Sequence, residues 1–209
     1  KYNVSIDLPA GPSEVLIVAD NTCNPSFVAI DLLAQAEHGK DSQSILVVNN
    51  KDVIKSVLDE INKIISKLER KNILNDSMKN SKFVIFKDDK DAVNFINYYA
   101  PEHYMICVEK NQFYIDGLKN AGSVFIGNFS PETLGDYASG TNHTLPTSGF
   151  ARQYSGVNLD SFLKSITFQK ITKNGIRNIG PYVELLADAE GLDAHKMSVT
   201  LRLNEIQND

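Results

Sequence analysis

Short apolar runs alternate with longer amphipathic stretches along the first 127 residues. The apolar runs have the length of strands buried on both faces, and they lie at residues 14–20, 44–48, 83–86, 104–108 and 123–127. Between them, apolar residues recur with the period of a helix, at residues 25–39, 52–68, 90–100 and 112–122. Strands alternating with helices predict an α/β fold: a layered, largely parallel sheet flanked by helices and joined by right-handed crossovers.

The first predicted helix carries two polar residues of chemical interest. Asn24 suits the N-cap, Pro25 the first helical position and Gly39 the position just past the end. Gln35 and His38 are three residues apart, so on a helix they share one face. The pair can be a solvated polar face near the helix end or half of a metal site. The helix alone does not decide between the two.

The pattern changes after Gly127. Residues 128–158 are rich in Gly, Pro, Ser, Thr and Asn and show no period, yet they include scattered aromatic and aliphatic residues. This composition predicts a long functional loop. The remaining tail is mostly helical and ends in two helices broken at Gly191. We therefore predict an α/β domain over residues 1–157 and a helical C-terminal extension over residues 158–209.

Composition excludes several functional classes. The net charge is −5, with acidic and basic residues interspersed, which disfavours a nucleic acid or a membrane surface as partner. The apolar runs are too short to span a membrane, and the first residues lack the apolar core of a signal peptide. Cys23 and Cys107 are far apart in the sequence, which fits free thiols in a reducing compartment. We expect a cytoplasmic protein.

Common catalytic and nucleotide-binding motifs are missing from the sequence. No G-x-G-x-x-G opens a helix, Gly39-Lys40 does not complete a P-loop, and neither H-E-x-x-H nor G-x-S-x-G occurs. The remaining candidates for functional residues are the four histidines. Each lies at the end of a predicted element or in the loop, with a carboxylate or amide nearby: His38, His103, His143 and His195. This distribution favours a histidine-based site, either metal-binding or catalytic.

Six stretches, in the same order, resemble the C-terminal half of histidinol dehydrogenase. They are GPSEVLIVAD, DLLAQAEHG, APEH, AGSVFIG, GDYASGTNHTLPT and EGLDAHKMSVTLRL. The resemblance covers essentially the whole chain. It implies the NAD-dependent oxidation of L-histidinol through L-histidinal to L-histidine, with two NAD reduced and one zinc ion per site.

The resemblance assigns a zinc site. Gln35, His38, Asp136 and His195 match the family's zinc ligands, which also contact the substrate. Zinc accepts nitrogen and oxygen donors, and a single carboxylate would leave the site positively charged. Such a site can take a neutral imidazole and an amine from histidinol.

The resemblance also assigns catalytic and substrate-binding residues. Glu102 and His103 match the family's acid–base pair. An imidazole that titrates near neutral pH suits removal of the hydroxyl proton, and a carboxylate suits activation of water. His103 also matches a substrate contact, as do Ser13, His143 and Glu190.

The family's chain is considerably longer, and the absent portion is expected to carry most of the NAD-binding region. The family is a homodimer in which the C-terminal segment reaches the partner's site. The resemblance therefore implies a dimer-swapped extension, with His195 and Glu190 donated across the interface. Two other interpretations stay open: a non-catalytic metal-binding or dimerisation fragment, and a zinc hydrolase with Glu102 as base. Four protein ligands disfavour the hydrolase, and retention of the catalytic and substrate residues disfavours the fragment.

Overall fold

A computed structural model describes residues 6–9 and 11–207. The chain forms two compact units, one extending to Leu163 and the other beginning at Lys164. No helix in the described part of the chain is long and apolar enough to cross a membrane. The domain boundary between residues 157 and 158 stays a prediction, as do the roles predicted for the α/β domain and for the C-terminal extension.

The described part of the first unit is built on five parallel strands. They are β1 (Glu14–Ala19), β2 (Gln43–Val48), β3 (Lys82–Ile85), β4 (His103–Cys107) and β5 (Ser123–Ile126). Their order across the sheet is β3-β2-β1-β4-β5, which leaves β1 at the centre. The connecting helices are α1 (Pro25–Ala36), α2 (Lys51–Ile65), α3 (Lys71–Ser77), α4 (Asp89–Tyr99) and α5 (Asn111–Asp116). The predicted α/β fold with a parallel sheet is confirmed.

The central strand explains why the apolar runs are continuous. Val15 and Ile17 face a core that includes residues of α1, α2 and α3, whereas Leu16 and Val18 face a second core that includes residues of α4. All four side chains are buried. A strand covered on both faces has no solvent-facing positions, and so its sequence does not alternate between apolar and polar residues.

One local prediction was wrong, and two helices were missed. Helix α1 ends at Ala36 with Glu37 as its C-cap, so Gly39 is not the residue just past the helix, and its φ is not positive. His38 consequently lies in the turn after the helix, and its backbone N–H donates to the Gln35 carbonyl at 3.3 Å. Helix α3 and the short helix α6 (Glu132–Tyr137) were not predicted. Helix α6 belongs to the segment predicted as an irregular loop.

In the second unit, the described residues form two helices, α7 (Lys173–Ala189) and α8 (Asp193–Gln207). Thr172 caps α7 by accepting a hydrogen bond from the Gly175 backbone N–H, and Gly191 turns the chain at φ 70°. The predicted break at Gly191 is therefore present. Several large apolar side chains remain exposed on the unit, among them Ile179, Tyr182, Leu185, Leu186 and Leu201.

Asp31 is a buried acid on α1 with a consequence for stability. Burial raises the pKa of Asp31 to about 7, well above the ordinary value of an aspartate. The unfolded chain therefore loses this proton at a lower pH than the folded chain, and the free energy of unfolding falls as pH rises between about 4 and about 7. The carboxylate destabilises the fold most above pH 7.

Asp31→Asn is thus expected to raise the free energy of unfolding at pH 8 by about 2 kcal/mol. The gain should be smaller at pH 5, where the folded state keeps the proton. Urea unfolding of this chain at the two pH values measures the difference. Asp160→Asn, at an exposed position, is the matched control. An equal gain at pH 5 and pH 8 would contradict the titration of Asp31.

Candidate active site

A cluster of polar side chains is buried at the amino edge of the sheet. Glu14 is the first residue of β1 and His103 is the first residue of β4, and the parallel register pairs Val15 with His103. Helix α1 runs back across the sheet and brings Gln35, near its C-terminal end, to the same edge. Helix α6 adds Glu132 and Asp136.

His103 is held by the backbone of the neighbouring strand. Its Nδ1 lies 3.1 Å from the Glu14 carbonyl oxygen, and its ring stacks on Phe125 with centroids 6.1 Å apart. A carbonyl oxygen can only accept, so Nδ1 carries the hydrogen. In neutral His103 the free lone pair is then on Nε2, which is buried without a hydrogen-bond partner and lies 3.6 Å from Asp136 Oδ1. The side chain thus presents Nε2 as a base.

Glu102 is fixed by the same strand. Its Oε2 accepts a hydrogen bond from the Glu14 backbone N–H at 2.7 Å and lies 3.5 Å from His103 Nδ1. The peptide group and carbonyl of Glu14 therefore position both members of the predicted acid–base pair. Because these contacts use β-strand backbone, they are more rigid than contacts between two long side chains.

The surrounding carboxylates favour the protonated imidazole. Burial lowers the pKa of His103, but hydrogen bonding and charge from Glu102, together with charge from Glu132, outweigh it and raise the pKa to about 9. Within this chain alone, the imidazolium offsets part of the buried negative charge. A cation bound nearby would take over that role and lower the pKa of His103 by charge repulsion.

Glu132 and Gln35 form a second buried pair. Glu132 is 2% exposed and Gln35 is 1% exposed. With its nitrogen toward Glu132, the Gln35 amide donates to both carboxylate oxygens, at 3.0 and 3.1 Å. Its oxygen lies 3.1 Å from the Glu14 nitrogen and shares that N–H with Glu102 Oε2. Burial raises the pKa of Glu132 to about 8, although the charge of His103 lowers it.

Part of the loop is anchored to the same edge. The Ser148 backbone N–H donates to Glu14 Oε1 at 2.9 Å, and Ser148 adopts a positive φ of 55°, which is uncommon outside glycine. Burial raises the pKa of Glu14, whereas the Ser148 hydrogen bond lowers it. This contact joins the loop, at Ser148, to β1, whose backbone also contacts Glu102 and His103.

The structure brings some of the predicted residues together and leaves others apart. Gln35, Glu102, His103 and Asp136 belong to the cluster. Ser13 and His38 line an adjacent open cleft of about 500 Å³, together with Gly11, Pro12 and Asp41. His143 is exposed in the loop, and Glu190 and His195 are exposed in the second unit. The assignment of these residues as ligands and substrate contacts stays a prediction.

The predicted zinc ligands Gln35, His38 and Asp136 belong to the first unit, whereas His195 belongs to the second. Among the residues that the structure describes, no three His, Cys, Asp or Glu side chains are grouped so as to hold a metal ion. The donor types nevertheless suit zinc: an amide oxygen, a carboxylate and imidazole nitrogens. The cluster also carries an excess of buried carboxylates, and His103 Nε2 has no partner there. A cation is the species that such a cluster accommodates.

Two residues of the cluster were missed by sequence reasoning, Glu14 and Glu132. Glu132 lies four residues before Asp136, so the two carboxylates share a face of α6. The spacing of Glu132 and Asp136 could have indicated a shared site, but only if a helix had been predicted in this segment. Glu14 gave no signal, because a single acidic residue at the start of a strand is common on protein surfaces.

The parallel α/β sheet carries a buried Glu–His pair at one edge, and these two side chains are chemically suited to acid–base work. The family model described as histidinol dehydrogenase matches residues 1–203. The chain belongs to the histidinol dehydrogenase family, a name that denotes an oxidoreductase.

Individual relatives agree with this assignment. The histidinol dehydrogenase of Bacteroides thetaiotaomicron is 51% identical over 205 residues, covering 98% of this chain and 48% of the relative. The chloroplastic enzyme of Arabidopsis thaliana is 53% identical over 205 residues, covering 98% of this chain and 44% of the relative. The crystal structure of histidinol dehydrogenase from Elizabethkingia anophelis superposes with a TM-score of 0.94 at 52% identity, over 98% of this chain and 47% of the other. The chain thus spans about half the length of the relatives it matches.

Proposed function

We propose that this chain supplies the acid–base and metal-binding half of an enzyme of histidine biosynthesis. The reaction is the zinc-requiring oxidation of L-histidinol through L-histidinal to L-histidine, with two NAD as hydride acceptors. The observation that carries the proposal is the buried His103, whose Nδ1 is bound to the Glu14 carbonyl and whose Nε2 is free beside Asp136. A base fixed in this way can take a proton from a substrate hydroxyl.

The two oxidations use Glu102 and His103 in different ways. In the first, the carbinol carbon of histidinol gives a hydride to NAD, and His103 Nε2 takes the hydroxyl proton, which leaves the aldehyde. In the second, water adds to the aldehyde carbon while Glu102 takes a water proton. After His103 has passed the first proton to solvent, the resulting hydrate anion gives a second hydride to NAD and its hydroxyl proton to His103, which leaves the carboxylate. Glu102 suits the second role because it is buried 3.5 Å from the imidazole.

The proposed metal ligands are Gln35, His38, Asp136 and His195. When bound, zinc supplies a positive charge that anchors the imidazole and amine of the substrate. Gln35 and Asp136 are already in the cluster, whereas His38 lies in the turn directly after Gln35. His38 is exposed in this structure and is free to turn toward a cation.

The remaining site residues are proposed to act across a homodimer. His195 and Glu190 belong to the second unit, whose exposed apolar side chains favour a protein partner. In the proposed dimer, His195 completes the ligand set of the other subunit and Glu190 faces the ammonium group of the substrate. Ser13 and His143 are the proposed polar contacts from the first unit.

NAD is proposed to bind mainly outside this chain. The carboxyl edge of a parallel sheet is the usual place for a nucleotide, at the point where the strand order reverses. Here that edge has a crevice of about 200 Å³ lined by Asp20, Asp89 and Glu109, with Lys110 beside them. Three carboxylates would repel a pyrophosphate, so this crevice does not suit a dinucleotide.

Zinc binding tests the proposed function. In the full-length protein we expect about one zinc per subunit, and we expect Asp136→Asn, His38→Ala and His195→Ala each to weaken zinc binding at least about tenfold. Elemental analysis and competition with a chelator measure the content and the affinity. His143→Ala is the control, because it removes a histidine that is not a proposed ligand. A variant that keeps the wild-type affinity would remove its residue from the ligand set.

A further inference from the structure

Glu132 is a buried carboxylate that the proposed chemistry does not use. It is the first residue of α6, and Asp136 follows one helical turn later on the same face. The two acids flank the imidazole of His103: Glu132 Oε2 is 4.0 Å from Nδ1, and Asp136 Oδ1 is 3.6 Å from Nε2. Asp136 has a proposed role as a ligand, whereas Glu132 has none.

The neighbours of Gln35 permit only one orientation of its amide. If the amide oxygen faced Glu132, it would oppose two carboxylate oxygens, and the NH₂ group would face the backbone N–H of Glu14. With the opposite orientation, the nitrogen donates to Glu132 at 3.0 and 3.1 Å and the oxygen accepts from Glu14 at 3.1 Å. Both contacts are then satisfied, which matters because the side chain is fully buried.

The orientation of this amide determines whether it can act as a ligand. The oxygen of a glutamine amide has two lone pairs, whereas its NH₂ group only donates hydrogen bonds. The two ends have nearly the same shape, so packing alone does not choose between them. The Glu132 carboxyl group and the Glu14 N–H together do choose, because the carboxyl group offers an accepting oxygen in either protonation state and the N–H can only donate. In the chosen orientation the oxygen shares the Glu14 N–H with Glu102 Oε2 through one lone pair, and its other lone pair is left for a metal ion.

We propose that Glu132 is a positioning residue that holds the amide nitrogen of Gln35 and so presents the amide oxygen to the metal ion. The inference rests on the proposed zinc site and deepens it. Helix α6 then contributes to the site twice, once with the ligand Asp136 and once with the residue that orients the ligand Gln35. A partner that orients a metal ligand typically accounts for about 10–100-fold in metal affinity.

Three substitutions in the full-length protein test this role. Glu132→Met removes the acceptor at similar length, and Glu132→Asp keeps the charge but withdraws the carboxylate by about one carbon–carbon bond from Gln35. Glu132→Gln loses the charge but keeps an oxygen that can accept from the Gln35 amide. We expect the Met and Asp variants to bind zinc about 10–100-fold more weakly, and the Gln variant to stay within about threefold of wild type.

Two measurements separate orientation from general damage to the fold. Chelator competition gives the zinc dissociation constant, and the visible absorption spectrum of the cobalt-substituted protein reports a change of ligands. The Met and Asp variants should change the cobalt spectrum, whereas the Gln variant should restore it. Wild-type affinity and spectrum in the Met and Asp variants would overturn the proposal. If Glu132→Met does not fold, the Asp and Gln variants decide, and equal zinc affinities of these two would overturn it.

Asp136→Asn serves as the reference in the same experiment. If Asp136→Asn and His38→Ala both bind zinc as wild type does, the zinc site itself is wrong and the proposed function fails. If Asp136→Asn loses zinc while the Glu132 variants do not, only the orienting role of Glu132 fails.

Discussion

His103→Ala in the full-length protein is expected to lower kcat for histidinol oxidation about 10²–10⁴-fold while zinc content and histidinol binding are kept. The reason is that Nε2 is the free nitrogen of the ring, and the proposed ligands do not include it. Steady-state production of reduced NAD gives kcat, and calorimetric titration with histidinol gives the binding constant. A loss below about tenfold would count against His103 as the base.

Glu102→Gln is the companion substitution to His103→Ala. It should slow the oxidation of histidinal more than that of histidinol, because only the aldehyde step requires added water. Glu109→Gln is the matched control, since Glu109 is exposed at the opposite end of the sheet and lines the acidic crevice there. Equal losses with the two substrates, at intact binding, would contradict the separate roles of Glu102 and His103.

The chain alone is expected to fold but to show no detectable reduction of NAD. The five strands and their two cores provide an apolar interior that does not depend on further residues. Hydride transfer, however, requires the nicotinamide ring to be held close to the substrate carbon, and positioning of this kind supplies a large part of the rate enhancement. The crevice at the carboxyl edge is acidic, so it offers no substitute for a phosphate-binding turn.

The measurement is direct. The chain is mixed with zinc, histidinol and NAD, and the absorbance of the reduced cofactor is followed. The assay is then repeated after addition of the N-terminal half of the enzyme as a separate chain, which should restore turnover. Circular dichroism of the chain alone confirms that it is folded. Turnover without the added half would place a working nucleotide site within these 209 residues.

The local conformation of α1 illustrates where sequence reasoning fails. Gly39 and its neighbours resemble a helix end, yet the helix stops at Ala36. The His38 N–H still bonds to the Gln35 carbonyl, so the chain leaves the helix through a tight turn. The prediction that Gln35 and His38 share one face of a helix was therefore wrong, because His38 lies outside the helix. Helix ends depend on a few hydrogen bonds, and residue type alone does not fix them.

The sequence by itself determined the sheet and the family of this protein. Apolar runs without alternation predict a parallel sheet that is covered on both faces, as its three inner strands are. The motifs around Gln35, His103 and Asp136 carry the family resemblance. Only the tertiary structure decided how the site is held. The Glu14 peptide group fixes Glu102 and His103 across 88 and 89 residues of sequence. Glu132 meets Gln35 only because α6 packs at the amino edge of the sheet. Such contacts follow from strand register and packing between distant segments, and no local pattern of residues encodes them.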